Sequence, residues 1–228
     1  MIQMSGIRRI ARRVLGAPRR LVRRMRVDRM AASSALGAIR ARRSIREFSD
    51  KPVPEKDLRA ILEAARLAPH GGPVNWKMGV IRDQKVKEAL AGHVVQDELI
   101  RQVPVIIACC TECKPYKAEK EGVQRKLRRR HGEEAYQLLL SLPPRIRDSL
   151  YQDQNLIIAG ENLVIAARSL GLGTCWVGAI SIDGVGRALG LPEDWVCLYL
   201  ILVGYPRQWP KERRKRPVEE IVFYDRYS

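Results

Sequence analysis

Two uninterrupted apolar runs, Val103–Cys110 and Val196–Val203, constrain the fold of this 228-residue chain more than any other feature. Val103–Cys110 reads as a buried strand and Val196–Val203 as another strand. Neither run approaches the roughly 18 apolar residues that mark a membrane-spanning helix. Met78–Arg82 and Thr174–Ile180 read as further strands. Pro54, Glu55 and Asp57 suit a helix first turn, followed by Leu58, Ile61, Leu62 and Ala65 on one face and a stop at Pro69. Leu156, Ala159, Leu163, Ala166 and Leu170 mark a long core helix ended by Gly171, and a short helix is expected near Val185–Leu189. Helices and strands alternate irregularly, without tandem βαβ units or an internal repeat, which points to an α+β fold rather than a doubly wound one.

Charge divides the chain. Its net charge is +17, and the first thirty residues hold ten arginines, no lysine and one acid, Asp28. Ile7, Ile10 and Val14, then Leu21, Val22 and Met25, fit two short basic amphipathic helices broken at Gly16–Pro18. Residues 1–35 are therefore expected to form an arm and 36–228 the body. Within the body, 114–150 forms a charged helical insertion carrying Lys114, Lys117, Lys120, Lys126, Arg128, Arg129 and Arg130. Three roles fit the arm: an anchor on an anionic membrane surface or acidic partner, a segment packed on the body or a second subunit, and an organelle presequence. A basic nucleic-acid binder would also explain the charge, but aromatics are only 6% and no nucleic-acid-binding motif appears.

The five cysteines (Cys109, Cys110, Cys113, Cys175, Cys197) lack a secreted-framework spacing, and no secretory signal pattern is present. The expected location is cytoplasmic, peripheral at a membrane if the arm anchors there. Cys110 and Cys113 form a CxxC without a second ligand pair, and His70, His93 and His131 are scattered. No metal site is expected, and Cys109 and Cys110 read as buried strand residues.

Four segments carry candidate chemistry. Arg42, Arg43, Ser44 and Arg46 offer guanidinium forks and a hydroxyl to a phosphate or polyol, although a charge run is ordinarily a solvated face. Pro69, His70, Gly71 and Gly72 with Asn75 form a small-residue loop that can approach a flat ligand. Gly171–Gly178 leads from helix to strand, the reverse of the dinucleotide fingerprint, so a Rossmann turn is rejected. Arg213, Arg214, Lys215 and Arg216 form a second basic cluster.

In order and spacing, these segments resemble the FMN-dependent nitroreductase family. The resemblance covers about Leu36 to Val222: Arg42–Phe48, Ala68-Pro69 with its loop, Gly171–Gly178, Gly204-Tyr205-Pro206, and the basic cluster before Pro217. It implies a central mixed or antiparallel sheet flanked by helices in an obligate homodimer, with FMN at the subunit interface. Arg42, Arg43, Ser44 and Arg46 would then hold phosphate and ribityl, with Arg213 and Lys215 as a phosphate pair and Arg216 as a neighbouring candidate. Pro69, His70, Gly71, Gly72 and Asn75 would border the cofactor, while Trp176, Val177 and Gly178 would lie at the reactive flavin edge. No side-chain nucleophile is needed, because the flavin carries the chemistry.

The resemblance implies a ping-pong reaction from NADH or NADPH through FMN to a nitroaromatic, quinone or other planar acceptor, with the insertion as a lid. One departure stands out: many members carry Asn-x-Gln-Pro-Trp where this chain has Pro73-Val74-Asn75-Trp76. The loop is also similar to that of the thiazoline/oxazoline dehydrogenase branch, which keeps a flavin oxidase as an alternative. A flavin-binding or membrane-peripheral scaffold without catalysis is the other.

Overall fold

The computed structural model describes residues 34–70, 75–112 and 144–226 (backbone only for 144–152), together with Arg125, Arg128, Arg129, Gly132, Glu133, Tyr136 and Gln137. The basic helices expected in residues 1–30, Gly71, Gly72, Cys113 and most of the insertion lie outside the described residues. The body opens close to the expected Leu36, with helix α1 (Ala35–Ala41) capped by Ser34, whose hydroxyl accepts from the Gly37 amide at 3.0 Å. Helix α2 (Glu55–Arg66) carries Glu55 and Asp57 in its first turn and buries Leu58, Ile61 and Ala65, as its pattern predicts.

Strand β1 (Trp76–Ile81) is followed by two helices that were not expected, α3 (Gln84–Ala91) and α4 (Asp97–Gln102). Both are short, and α4 buries only Ile100, so neither displays a long apolar stripe. Then come β2 (Val105–Glu112), α5 (Pro144–Ser169), β3 (Gly173–Val177), α6 (Ile182–Ala188) and β4 (Trp195–Gly204). Helix α5 starts well before its first recognisable core residue, Leu156. Proline at the first position costs no hydrogen bond, so Pro144 can open the helix. The helix stops where Gly171 adopts φ +80° and the Leu172 amide donates to the Ala167 carbonyl at 2.9 Å. Strand β3 is shorter than Thr174–Ile180 because the backbone leaves the ladder after Val177; Ile180 instead bridges to Val94.

The sheet order is β1-β2-β4-β3, and every neighbouring pair is antiparallel. Its residues alternate between two cores. Ile106, Ala108, Cys110, Leu200 and Leu202 face one cluster with Leu90, Ile100 and Val185. Val105, Ile107, Cys109, Ile201 and Val203 face the other with Leu58, Ile61, Leu156, Ala159 and Leu163. Helices thus cover both faces, which explains the continuous apolar runs. A bulge interrupts β2–β4 register between Cys109 and Cys110, whose partners are Tyr199 and Cys197, leaving Leu198 as the extra residue. No helix among the described residues is long and apolar enough to cross a membrane.

Candidate functional site

After α1 the chain runs beside β3. Ser44 forms a parallel bridge with Thr174, the Ile45 amide donates to the Thr174 carbonyl at 2.8 Å, and the Ser49 amide donates to Tyr205 O at 2.8 Å. Ile45 and Phe48 are buried in the core, which pins the segment and leaves Arg42, Arg43, Ser44 and Arg46 at its surface. The fit at Gly173 is close: a Cβ there would stand 2.5 Å from Ile45 Cγ1.

This pinned segment and the chain beyond β4 wall a cleft of about 360 Å³, lined by Ile39, Arg40, Arg42, Arg43, Ser44, Arg46, Pro210, Lys211, Glu212, Arg213 and Lys215. Both basic clusters of the sequence therefore meet, although some 170 residues separate them in the chain. The lining holds seven cations and one acid. Arg43 donates to the Arg40 and Arg42 carbonyls at 2.7 Å and lies 3.3 Å from Glu212, while Arg42 stands 3.7 Å from Glu161. Arg40, Arg46, Lys211, Arg213 and Lys215 have no carboxylate partner among the described residues. Converging cations with so little compensation attract anions. Arg216 does not line the cleft. Arg40 and Lys211 do line it and were not singled out in the sequence, where each reads as one more charge in a basic run.

The expected flavin-edge residues follow along β3. The Trp176 ring lies so close to α5 that a Cβ at Gly160 would come within 2.3 Å of it, and Tyr199 meets it edge-on at 5.8 Å between centroids. Val177 is buried and Gly178 exposed. Gly178 stands four residues beyond Thr174, roughly 13 Å along the strand from the cleft. Burial pushes the Cys175 thiol pKa up, and the nearby Arg46 charge pulls the other way.

The small-residue loop goes elsewhere. Pro69 and His70 are exposed after α2, and Asn75 leads into β1 with its carbonyl accepting from the Glu112 amide at 3.0 Å. Trp76 is level with Val196, through Thr111, whereas Thr174 at the cleft is level with Val203. The two positions are thus seven residues apart along β4, roughly 23 Å, and on opposite edges of the sheet, roughly 14 Å across. Asn75 Oδ1 and the Trp76 indole nitrogen are buried without a hydrogen-bond partner among the described residues. Cys109, Cys110, Cys175 and Cys197 are all buried free thiols.

An antiparallel sheet covered on both faces, with a cationic cleft at one edge, defines an α+β protein. The comparisons place it more narrowly. Residues 39–205 match the family model described as the nitroreductase family, and the chain belongs to that family. It is 28% identical to the NADH dehydrogenase of Thermus thermophilus over 80% of this chain and 92% of the relative. It is 27% identical to the oxygen-insensitive NADPH nitroreductase of Salmonella typhimurium over 82% and 71%. The solved NADPH:FMN oxidoreductase of Vibrio harveyi, in complex with NAD+, superimposes with a TM-score of 0.66 at 21% identity, covering 85% of this chain and 78% of that one.

Proposed function

We propose that the chain is an FMN-dependent oxidoreductase that takes hydride from NADH or NADPH and delivers it to a nitroaromatic, quinone or other planar acceptor. Family membership and the activities named for the relatives support the oxidoreductase class. One observation carries the cofactor reading: Arg42, Arg43, Ser44 and Arg46 converge with Arg213 and Lys215 on one cleft beside β3. The residues fit FMN. The cations suit a dianionic phosphate, and exposed Gly178 lies farther along the strand for the ring. The unpartnered Asn75 Oδ1 suits a ring N–H.

When bound, FMN would supply the hydride-accepting and hydride-donating centre. The chain's own part is to hold phosphate and ribityl with the arginine cluster and to fix the Trp176–Gly178 stretch through Gly160 and Tyr199. One open face would then serve donor and acceptor in turn, which makes the kinetics ping-pong.

The same reading calls for a homodimer. β2 and β4, covered on both faces, separate Asn75 from the cleft, so one flavin touching both needs two chains. The exposed tail beyond the cleft supports this, with Val218 59%, Ile221 60%, Phe223 58% and Tyr224 85% accessible. Large apolar side chains exposed in such a series suit a surface that another copy would cover.

The first test is the visible spectrum of the full chain after addition of FMN and desalting. A retained flavin spectrum is expected, with loss of retention in the double variant Arg42→Ala, Arg46→Ala, since each charge-assisted phosphate contact contributes about 1.5–3 kcal/mol. A folded but colourless wild-type protein would overturn the reading.

A further inference from the structure

We propose that Arg168 is a positioning residue that holds the two walls of the cationic cleft together from behind; the proposal rests on the cofactor reading above. Arg168 lies in the last turn of α5 and is 6% exposed. Its Nε donates to the Ala41 carbonyl at 3.2 Å, and its guanidinium stacks over Trp209, with Cζ 3.9 Å from the ring centroid. Ala41 is the last residue of α1 and immediately precedes Arg42. Trp209 immediately precedes Pro210 and Lys211. One buried side chain therefore touches the root of each wall.

The walls need such a tie because their charges have the same sign. Arg40, Arg42, Arg43 and Arg46 face Lys211, Arg213 and Lys215. Among the described residues the ion pair across them is Arg43 with Glu212 at 3.3 Å, and Glu212 is 75% exposed, so solvent and salt screen the attraction. A guanidinium suits the tie because its plane can stack while its edge donates. A lysine offers a point charge and loses the stacked plane. Arg168 is not among the residues that line the cleft, and it reaches the two walls through Ala41 and Trp209.

The test compares FMN with riboflavin, which differs only by lacking the phosphate. Dissociation constants for both are read by flavin fluorescence titration on the full chain, in wild type, Arg168→Met, Arg168→Lys and Trp209→Leu. Wild type should prefer FMN. In Arg168→Met and Trp209→Leu that preference should fall about tenfold while riboflavin binding is unchanged, and Arg168→Lys should restore only part of it. Equal losses for both flavins, or an unchanged preference, would overturn the positioning role. Should Arg168→Met not fold, Trp209→Leu decides, because it removes the stack and leaves the buried charge hydrogen-bonded. A wild type that binds both flavins equally would overturn the phosphate assignment itself, which shows before any substitution is made.

Discussion

At the corner of the sheet where β3 begins, backbone and side chains close on one another, with Ile45 against Gly173, Phe48 against Gly204, and amides of the 44–49 segment paired to Thr174 and Tyr205. At the diagonal corner, where β1 begins, Asn75 Oδ1 and the Trp76 indole nitrogen are buried and unpartnered among the described residues. The first corner has no buried side-chain nitrogen or oxygen without a partner among the described residues, and it is far out of balance in charge. The second leaves two buried side-chain atoms without a hydrogen-bond partner and carries, among the described residues, no comparable cluster of cations. These are deficits of different chemistry. An anion remedies the first, and a neutral donor or acceptor remedies the second. A phosphorylated planar ligand offers both, which is why the separation of the corners within one chain argues for a shared site between two.

The largest effect should come from breaking the closed corner. In Gly173→Ala the new Cβ meets Ile45 Cγ1 at 2.5 Å and Ile45 Cβ at 3.1 Å. Neither atom is the free end of a flexible side chain, and the Ile45 amide is tied to Thr174 O. The segment carrying Ser44 and Arg46 must move, so urea denaturation should show a loss of about 1–3 kcal/mol together with weaker FMN binding. Gly92→Ala is the control, because nothing lies within 4 Å of a Cβ there. Equal stability in the two variants would mean that the corner yields easily and does not fix the cleft.

The two corners also differed in how readable they were. Arg42–Arg46 and Arg213–Lys215 are legible because phosphate recognition needs arginine forks, and such clusters stand out in a sequence. Their convergence was expected from the resemblance, but the geometry behind it was not legible, since it depends on Ile45 docking on Gly173 and on the path of the chain after Gly204. The four strands, α2 and the end of α5 could be read from apolar runs, caps and Gly171. Helices α3 and α4 could not, being short and mostly solvated. Arg40, Lys211 and Arg168 were hidden for a related reason: arginine and lysine at a given position look alike whether they are solvated, lining a cleft or buried under one.

An intermediate effect is expected at the open corner. Replacing Asn75 by leucine removes a buried acceptor that lacks a donor, so the flavin-free protein should be as stable as wild type or more stable, by up to about 1–2 kcal/mol. FMN and riboflavin should both bind more weakly, because the lost contact is to the ring. Mixing the subunits sharpens the comparison. If each site draws on two chains, refolding Asn75→Leu together with Arg42→Ala, Arg46→Ala should regenerate flavin retention that neither variant shows alone, through mixed dimers with one unimpaired site. No recovery, with mixed dimers demonstrated by mass, would place both corners' contributions in the same chain's site and remove this argument for sharing.

The smallest effect tests charge alone. Glu212 is the one acid in the cleft lining and stands 3.3 Å from Arg43, with its own side chain 75% exposed. Glu212→Gln keeps the shape, removes the negative charge and releases the Arg43 guanidinium from its carboxylate. An exposed pair of this kind contributes little to folding, so the denaturation midpoint should hardly move. The field at the cleft becomes more positive, and FMN should bind about twofold more tightly, the scale of such a pair. Riboflavin should be indifferent, and the gain should fade as added salt shortens the screening length. A loss of FMN affinity would reverse the argument: it would mean that Glu212 is needed to hold Arg43 in place, and that the closed corner depends on this surface pair as well as on Gly173 and Arg168.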